Sequence, residues 1–361
     1  MKRLFLLIVS SLLFLNLAEA QKRVVDALDN SPVTSAPIFN AAGNVIGMTS
    51  NEGDFSDISE SAYPITIRCI GYESVTVEQP KDTIIMMLPA LYELEEVVVS
   101  AKREVLKLTA YVREYFTISS QTDTIAYFAE HMADRYMPAD ENIKFNKNSL
   151  RLRNTRCYSH FKGEDLDSVG IEHKTTFPSV LSSLQAIDKP VKVPDSFKNQ
   201  EGVTKSYEVP GKSGTTFILK QNAHTHTIIG DALAEEEDHR MSLWIFKLLG
   251  VAMDIEQLYI TRIYNVNDTG VYLPKDLIQA SVVMEAEGKG KLLRQMLRSE
   301  TPVTIHSSVE LYVVDREYLS KKKAKEEYKD KMTKIEFEIP ESVPELDEAT
   351  KRLIKRANAL K

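Results

Sequence analysis

Between Arg23 and Arg103 the chain turns every few residues, and that spacing leaves few folds open to it. Ile65-Thr66-Ile67-Arg68-Cys69 alternates as a strand does, with Ile65, Ile67 and Cys69 on one face and Thr66 and Arg68 on the other. Val24-Val25, Ala36-Pro37-Ile38-Phe39 and Val45 to Thr49 are further short strand-like runs. Between them stand Asp29-Asn30-Ser31-Pro32, the loop Asn40 to Asn44, and Asn51-Glu52-Gly53-Asp54, rich in residues that tolerate positive φ. Phe55 and Ile58 then point inward. Short strands separated by turn residues predict an all-β sandwich. Within it Cys69 is expected to be a small buried hydrophobe.

The first twenty residues read as a signal peptide. Lys2 and Arg3 precede an apolar run from Leu4 to Leu17, and Ala18-Glu19-Ala20 offers the small residues a signal peptidase needs. Gln21 is the expected mature N-terminus, and the apolar run is short for a span of about 20 residues. Downstream, the best apolar run, Leu243 to Met253, is interrupted by Lys247, so no membrane helix is expected after cleavage. The 361 residues carry a formal charge of −7, which disfavours nucleic acid as a partner. Two cysteines, Cys69 and Cys157, are too few for a disulfide scaffold and are expected to be separate free thiols.

The stretches API, GNVIGMTSNEGDF, ITIRCIGYES and IIMMLPALYELEEVVVSAKR, in this order after the valine pair, make residues 21–101 resemble the carboxypeptidase-regulatory-like domain. The resemblance implies a seven-stranded, transthyretin-like sandwich, an accessory module found on exported proteins of Bacteroidetes-type bacteria and at the front of their TonB-dependent transporters. Thr34-Ser35-Ala36-Pro37 departs from the family's glycine-rich approach to the second strand. The module brings no catalytic residues, and none of the seven histidines has a glutamate at the spacing a zinc carboxypeptidase uses. Glu96 to Ala101 also resembles a TonB box, a segment that pairs by strand addition; Val97 to Val99 is read instead as the last strand and exit of the sandwich.

Residues 102–108 read as a charged linker and 109–361 as a second domain. Ala110 to Ile118, Thr124 to Met132, Ser149 to Tyr158, Tyr259 to Val266, Leu277 to Glu285 and Val303 to Val314 are strand-like, predicting a curved antiparallel sheet of roughly six to nine strands. Arg240 to Met253 is apolar all round and predicts a buried helix, Tyr318 to Lys331 a solvated helix, and Pro344 to Leu360 a terminal helix. The fold class expected is mainly β with some α. "AYFAEHMADRYMP" and "GVYLPKDLIQASVVMEAE" resemble, in shape, open sheets of the periplasmic lipoprotein-carrier type.

Gly211-Lys212-Ser213-Gly214 lacks the earlier glycine of a phosphate loop, Ser206 standing there, and reads as a hairpin turn before Phe217 to Leu219. His224 and His226 would share a strand face and, with His239 and the acidic run Glu235 to Asp238, outline a metal site for a metal-dependent hydrolase. No nucleophile elbow or paired-cysteine motif is present. The favoured reading is an exported, non-enzymatic envelope protein without cofactor, at the periplasm or the periplasmic face of the outer membrane, whose sandwich docks on a protein partner. The alternative is a carrier whose concave sheet holds a lipid or other apolar ligand at Met132, Tyr136 and Trp244.

Overall fold

The computed structural model describes residues 22–90 and 104–358, leaving aside 56–57, 82, 140–141, 146–150, 164–165, 171–190, 193–204, 209–215, 222–223, 232, 234–250, 267–269, 298, 300–301, 331–338 and 342. The signal-peptide reading of 1–20, the TonB-box-like segment and Val97 to Val99 therefore lie outside the described residues. So do Gly211 to Thr215, the acidic run Glu235 to Asp238, His239 and Trp244.

The sandwich comprises β1 (Lys22–Asp26), β2 (Pro37–Phe39), β3 (Val45–Met48), β4 (Asp54–Phe55), β5 (Ile65–Ile67), β6 (Val75–Val77) and β7 (Ile84–Met87). A three-stranded sheet ordered β4-β1-β7 faces a four-stranded sheet ordered β3-β2-β5-β6. The core between them is Val24, Val33, Ile38, Phe55, Ile65, Ile67, Val77, Ile85 and Met87, the inward set that the alternation predicts. Gly53 takes φ +77°, and a Cβ there would lie 2.4 Å from the Val24 carbonyl oxygen, so this turn requires glycine.

The second unit is one ten-stranded antiparallel sheet. Its strands are β8 (Val105–Ser119), β9 (Thr124–Pro138), β10 (Arg151–Gly163), β11 (Leu166–Gly170), β13 (Lys205–Glu208), β14 (Thr216–Gln221), β15 (Thr225–Asp231), β16 (Val251–Asn265), β18 (Leu277–Gly290) and β19 (Val303–Leu319). They run in the order β11-β10-β9-β8-β19-β18-β16-β15-β14-β13. A two-stranded pair joins β12 (Val191–Lys192) to β17 (Val271–Tyr272). Three α-helices stand among the described residues: α1 (Lys291–Leu297), α2 (Lys321–Lys329) and α3 (Glu348–Asn358).

Four expectations need correction. The linker read at 102–108 is already strand from Val105, because Val105, Leu106 and Leu108 are buried and strands covered on both faces show no alternation. Of the helix read over Arg240 to Met253, residues 240–250 lie outside the described residues, and 251–253 are strand: they open β16, where Met253 and Ile255 are buried with the period of a strand. Tyr318 belongs to β19 and α2 begins at Lys321, after the Ser320 cap. α3 starts at Glu348, four residues later than read, because Asp347 caps it through the Thr350 amide.

Register divides the large sheet into two faces. Face B carries Tyr111, Arg113 and Tyr115 of β8, Phe128, Glu130 and Met132 of β9, and His306, Ser308, Glu310 and Tyr312 of β19. The sandwich lies across it: Ile70 joins Tyr111, Met132, Ile263 and Tyr312; Phe39 and Val45 join Tyr115 and Phe128; Met48 joins Ile218, Ile229, Tyr259 and Val283. α3 seals one side through Leu353, in the cluster with Phe39 and Tyr115. Face A is the other surface, and its cluster runs from Leu106, Leu108, Val112 and Phe116 through Val309, Val282 and Met284 to Ile228 and Leu219. Leu293 and Leu297 of α1 and Tyr272 of β17 belong to it too.

Candidate functional site

Two places on this framework hold chemistry. The first is the seam between sandwich and face B. Arg68 leaves β5 on the polar side of the alternation and enters the seam, 4% exposed. Its Nη2 donates to Glu310 at 2.8 Å and its Nη1 to Asp347 at 2.7 Å; Nη1 also donates to the Tyr115 hydroxyl. Burial alone would lower the guanidinium, but Glu310, Tyr115 and Asp347 outweigh it and raise it well above its ordinary value. Asp347 is held below its ordinary value because Arg68 and Thr350 outweigh its own desolvation. Three segments far apart in the sequence thus meet on one cation.

Further along the seam a cavity of about 80 Å³ is lined by Asp26, Asp29, Tyr72, Lys220, Thr225 and Thr227, among others. The Lys220 ammonium donates to Ser31 Oγ (3.1 Å) and to the Pro32 carbonyl, and the Tyr72 hydroxyl donates to Asp26 (2.9 Å). Burial lowers Lys220, against the pull of Cys69, Asp26 and Asp29. The same burial pushes the Cys69 thiol up to about 12, so this free cysteine is chemically quiet.

The second place is face A, where polar groups are set among buried apolar side chains. Glu114, His131 and Thr155 fall on this face because Val112 pairs with His131, and His131 with Thr155. His131 contacts Glu114 Oε2 through Nε2 (3.3 Å) and Thr155 Oγ1 through Nδ1 (3.0 Å). Glu114 and His131 are buried while Thr155 is exposed, so the chain of contacts leads from the interior to the surface. Tyr127 approaches Cys157, the other free thiol, at 3.4 Å beside it. At the opposite end of face A stand Arg262, Tyr264, Tyr272 and Arg316.

Among the described residues, those read from sequence do not gather. Met132 lies on face B under Ile70, and Tyr136 is buried with Val105, Phe145 and Ala324 of α2. Both are packing residues on the side away from face A. His226 sits on β15 with its Nδ1 2.6 Å from the Tyr272 hydroxyl, whereas His224 precedes the strand. Sequence reasoning missed Glu114, His131 and Thr155. The residues sit on three strands, and only register, which no short motif encodes, joins them.

No family model and no curated protein matches the chain. A solved structure titled for lipid–protein interactions in lipovitellin aligns with 60% of this chain at 9% identity and a TM-score of 0.30. The chain spans 26% of the length of that protein.

Proposed function

We propose that this is an exported, non-catalytic binding protein of the cell envelope, in which the sandwich braces face B and face A receives an amphipathic ligand. The observation that carries the reading is the division of labour between the two faces. Face B is taken up by Ile70, Met48, Phe39 and the Arg68 network. Face A carries a buried apolar cluster spanning strands from β9 to β14, with a few polar groups set into it. An apolar interior with a few placed polar groups is what an amphiphile requires. Seven strands among the described residues, in sheets of three and four, support reading residues 21–101 as the carboxypeptidase-regulatory-like module. The signal-peptide pattern of residues 1–20 supports export.

Native mass spectrometry of the mature protein is expected to reveal a co-purified amphiphile, displaced by a fluorescent fatty acid. Val282→Glu, which puts a charge at a position 0% exposed on face A, is expected to abolish the uptake; retention would refute the reading. The non-catalytic part is tested at the Glu114–His131–Thr155 chain, whose order of carboxylate, imidazole and hydroxyl matches that of a hydrolytic triad. Turnover of short nitrophenyl esters that disappears in both His131→Ala and Thr155→Ala would make the protein an enzyme.

A second reading, that the sandwich docks on an envelope protein, is favoured by Leu28, Ile84, Met86 and Leu88, which are 77%, 59%, 57% and 53% exposed. Ile84 and Met86 lie on β7, an edge strand among the described residues, Leu88 directly follows it, and Leu28 follows β1. Ile84→Lys with Met86→Lys should weaken in-cell photocrosslinking from a probe placed at Leu88; unchanged crosslinking rejects this role.

A further inference from the structure

The cavity in the seam is walled by both units, and the reading of face A makes no use of it. Asp26, Asp29 and Tyr72 come to it from the sandwich; Lys220, Thr225 and Thr227 come from β14 and β15. Its volume of about 80 Å³ has room for roughly five to eight waters at about 10–15 Å³ each, and so for a molecule of only a few heavy atoms. A cleft between two units with convergent polar groups is a common place for a small ligand.

Lys220 is the reactive group on this wall. It is partly buried, and its ammonium donates to three neutral oxygens: Ser31 Oγ, the Pro32 carbonyl and the Tyr72 hydroxyl, the last at 3.4 Å. Among the described residues no carboxylate comes within ion-pair distance of it. Lys107, also partly buried, instead meets Glu317 and Glu327 directly. Burial accordingly lowers Lys220, against Cys69, Asp26 and Asp29 acting from further off. An amine desolvated without a close counter-charge is more readily freed of its proton, and the free amine is the nucleophile. A path for that proton is in place. Nζ donates to Tyr72, Tyr72 donates to Asp26 at 2.9 Å, and Asp26 lies on the cavity wall.

We propose that Lys220 captures a small uncharged aldehyde in the seam cavity as a reversible imine, without turnover. The volume limits the aldehyde to a few heavy atoms, and the carboxylates of Asp26 and Asp29 disfavour an anionic oxo acid of the same size. Lys220 first passes a proton through Tyr72 to Asp26. The free amine then adds to the carbonyl carbon: a C–N bond forms, the C–O π pair moves to oxygen, and a proton shifts from nitrogen to that oxygen. Asp26 returns its proton to the hydroxyl, the C–O bond breaks, and water leaves as C=N forms. Ammonium and aldehyde thus become a protonated imine and water, with no oxidant or reductant consumed.

The mature protein is incubated with glycolaldehyde and sodium cyanoborohydride, which reduces the imine to a stable secondary amine, and adducts are located by peptide mass spectrometry. Labelling of Lys220 should exceed that of exposed Lys325 by at least about tenfold, because desolvation and the proton path act at Lys220 alone. The excess should vanish in urea, and glyoxylate, anionic and of similar size, should show none. Ala90→Leu fills a lining position whose described bond is through its backbone amide, to the Gly71 carbonyl, and should abolish the excess. Tyr72→Phe should reduce it several-fold, with Lys325 labelled as before in both variants; if Tyr72→Phe does not fold, Ala90→Leu and the urea comparison decide. Lys220 labelled no faster than Lys325 would leave it a tie across the seam and overturn the proposal. So would an equal excess with glyoxylate, or an excess that survives Ala90→Leu.

Discussion

Arg68 shows how far a single side chain can be read from its neighbours. The alternation in Ile65 to Cys69 places it off the sandwich core, which is correct; its destination, a buried pair of carboxylates on β19 and before α3, depends on segments more than 240 and nearly 280 residues away. Replacing it with Met leaves Glu310 and Asp347 buried without their cation. The expected cost is about 3–5 kcal/mol of folding stability in urea titration; a loss below about 1 kcal/mol would mean that water already shares the site. His306 makes a pH-dependent counterpart on the same face. It is buried, its Nδ1 has no hydrogen-bond partner, and burial pushes it down to about 4. The unfolded chain therefore takes up a proton first. The contribution of His306 is complete above about 6.5 and is lost as pH falls toward 4, at most about 3 kcal/mol. Glu285, 3.9 Å away and raised by burial and by Glu256, slopes the other way just above its ordinary value. His306→Gln should accordingly flatten the loss of stability between pH 6.5 and 5, measured by urea unfolding at both values; parallel curves for variant and parent would exclude His306 as the source.

At the scale of elements, strands with one dominant apolar face were legible and the joints between them were not. β8 extends past both ends of the run Ala110 to Ile118, and β9 past the C-terminal end of Thr124 to Met132, because those ends bury residues on two faces and the period disappears. Residues 251–253 read as helical since Met253 follows a run that is apolar on every side; as the opening of β16, Met253 instead pairs with Gly288. The terminal helix was the clearest of the three, with Ala349, Leu353 and Ala357 on one stripe, yet its docking site was invisible. That site is the Asn40 to Asn44 loop: Gly43 has φ +82°, and a Cβ on it would lie 2.7 Å from the Ala349 carbonyl oxygen. Arg352 donates to the Ala41 carbonyl at 2.9 Å. Gly43→Ala thus combines backbone strain with a clash against helix backbone that has no flexible end to yield, and should cost about 1–3 kcal/mol. Leu353→Ala, which empties a place among Phe39, Val45, Tyr115 and Phe128, should cost about 2–5 kcal/mol. Both variants should accelerate proteolysis of α3; a helix that stays protected in Gly43→Ala would show that the loop, not α3, gives way.

The whole molecule is tied together by sharing rather than by linkage. The charged stretch read at 102–108 suggests two domains on a string, and nothing in either half announces that Ile70, Met48 and Phe39 of the sandwich complete clusters with Tyr111, Tyr259 and Tyr115 of the sheet. Lys220 of β14 reaches back to Ser31 and Pro32, and the amide of Val45 donates to Thr117 Oγ1 at 3.0 Å. Domains that exchange core residues and a buried ion triad lose those contacts together, so neither half has an unfolding step of its own while the seam is intact. Native-state hydrogen exchange is then expected to give one common opening free energy for amides in β2 and β3 of the sandwich and in β8 and β19 of the sheet. Thiol labelling of Cys69 should follow that same opening, because the residue is partly buried against the sandwich core. Arg68→Met, by contrast, should divide the molecule into two openings, with the sandwich exchanging at the lower free energy and Cys69 labelling along with it. Sandwich amides exchanging well before the sheet in the unaltered protein would mean that the seam contributes little, and the brace on face B would then have no mechanical role in presenting face A.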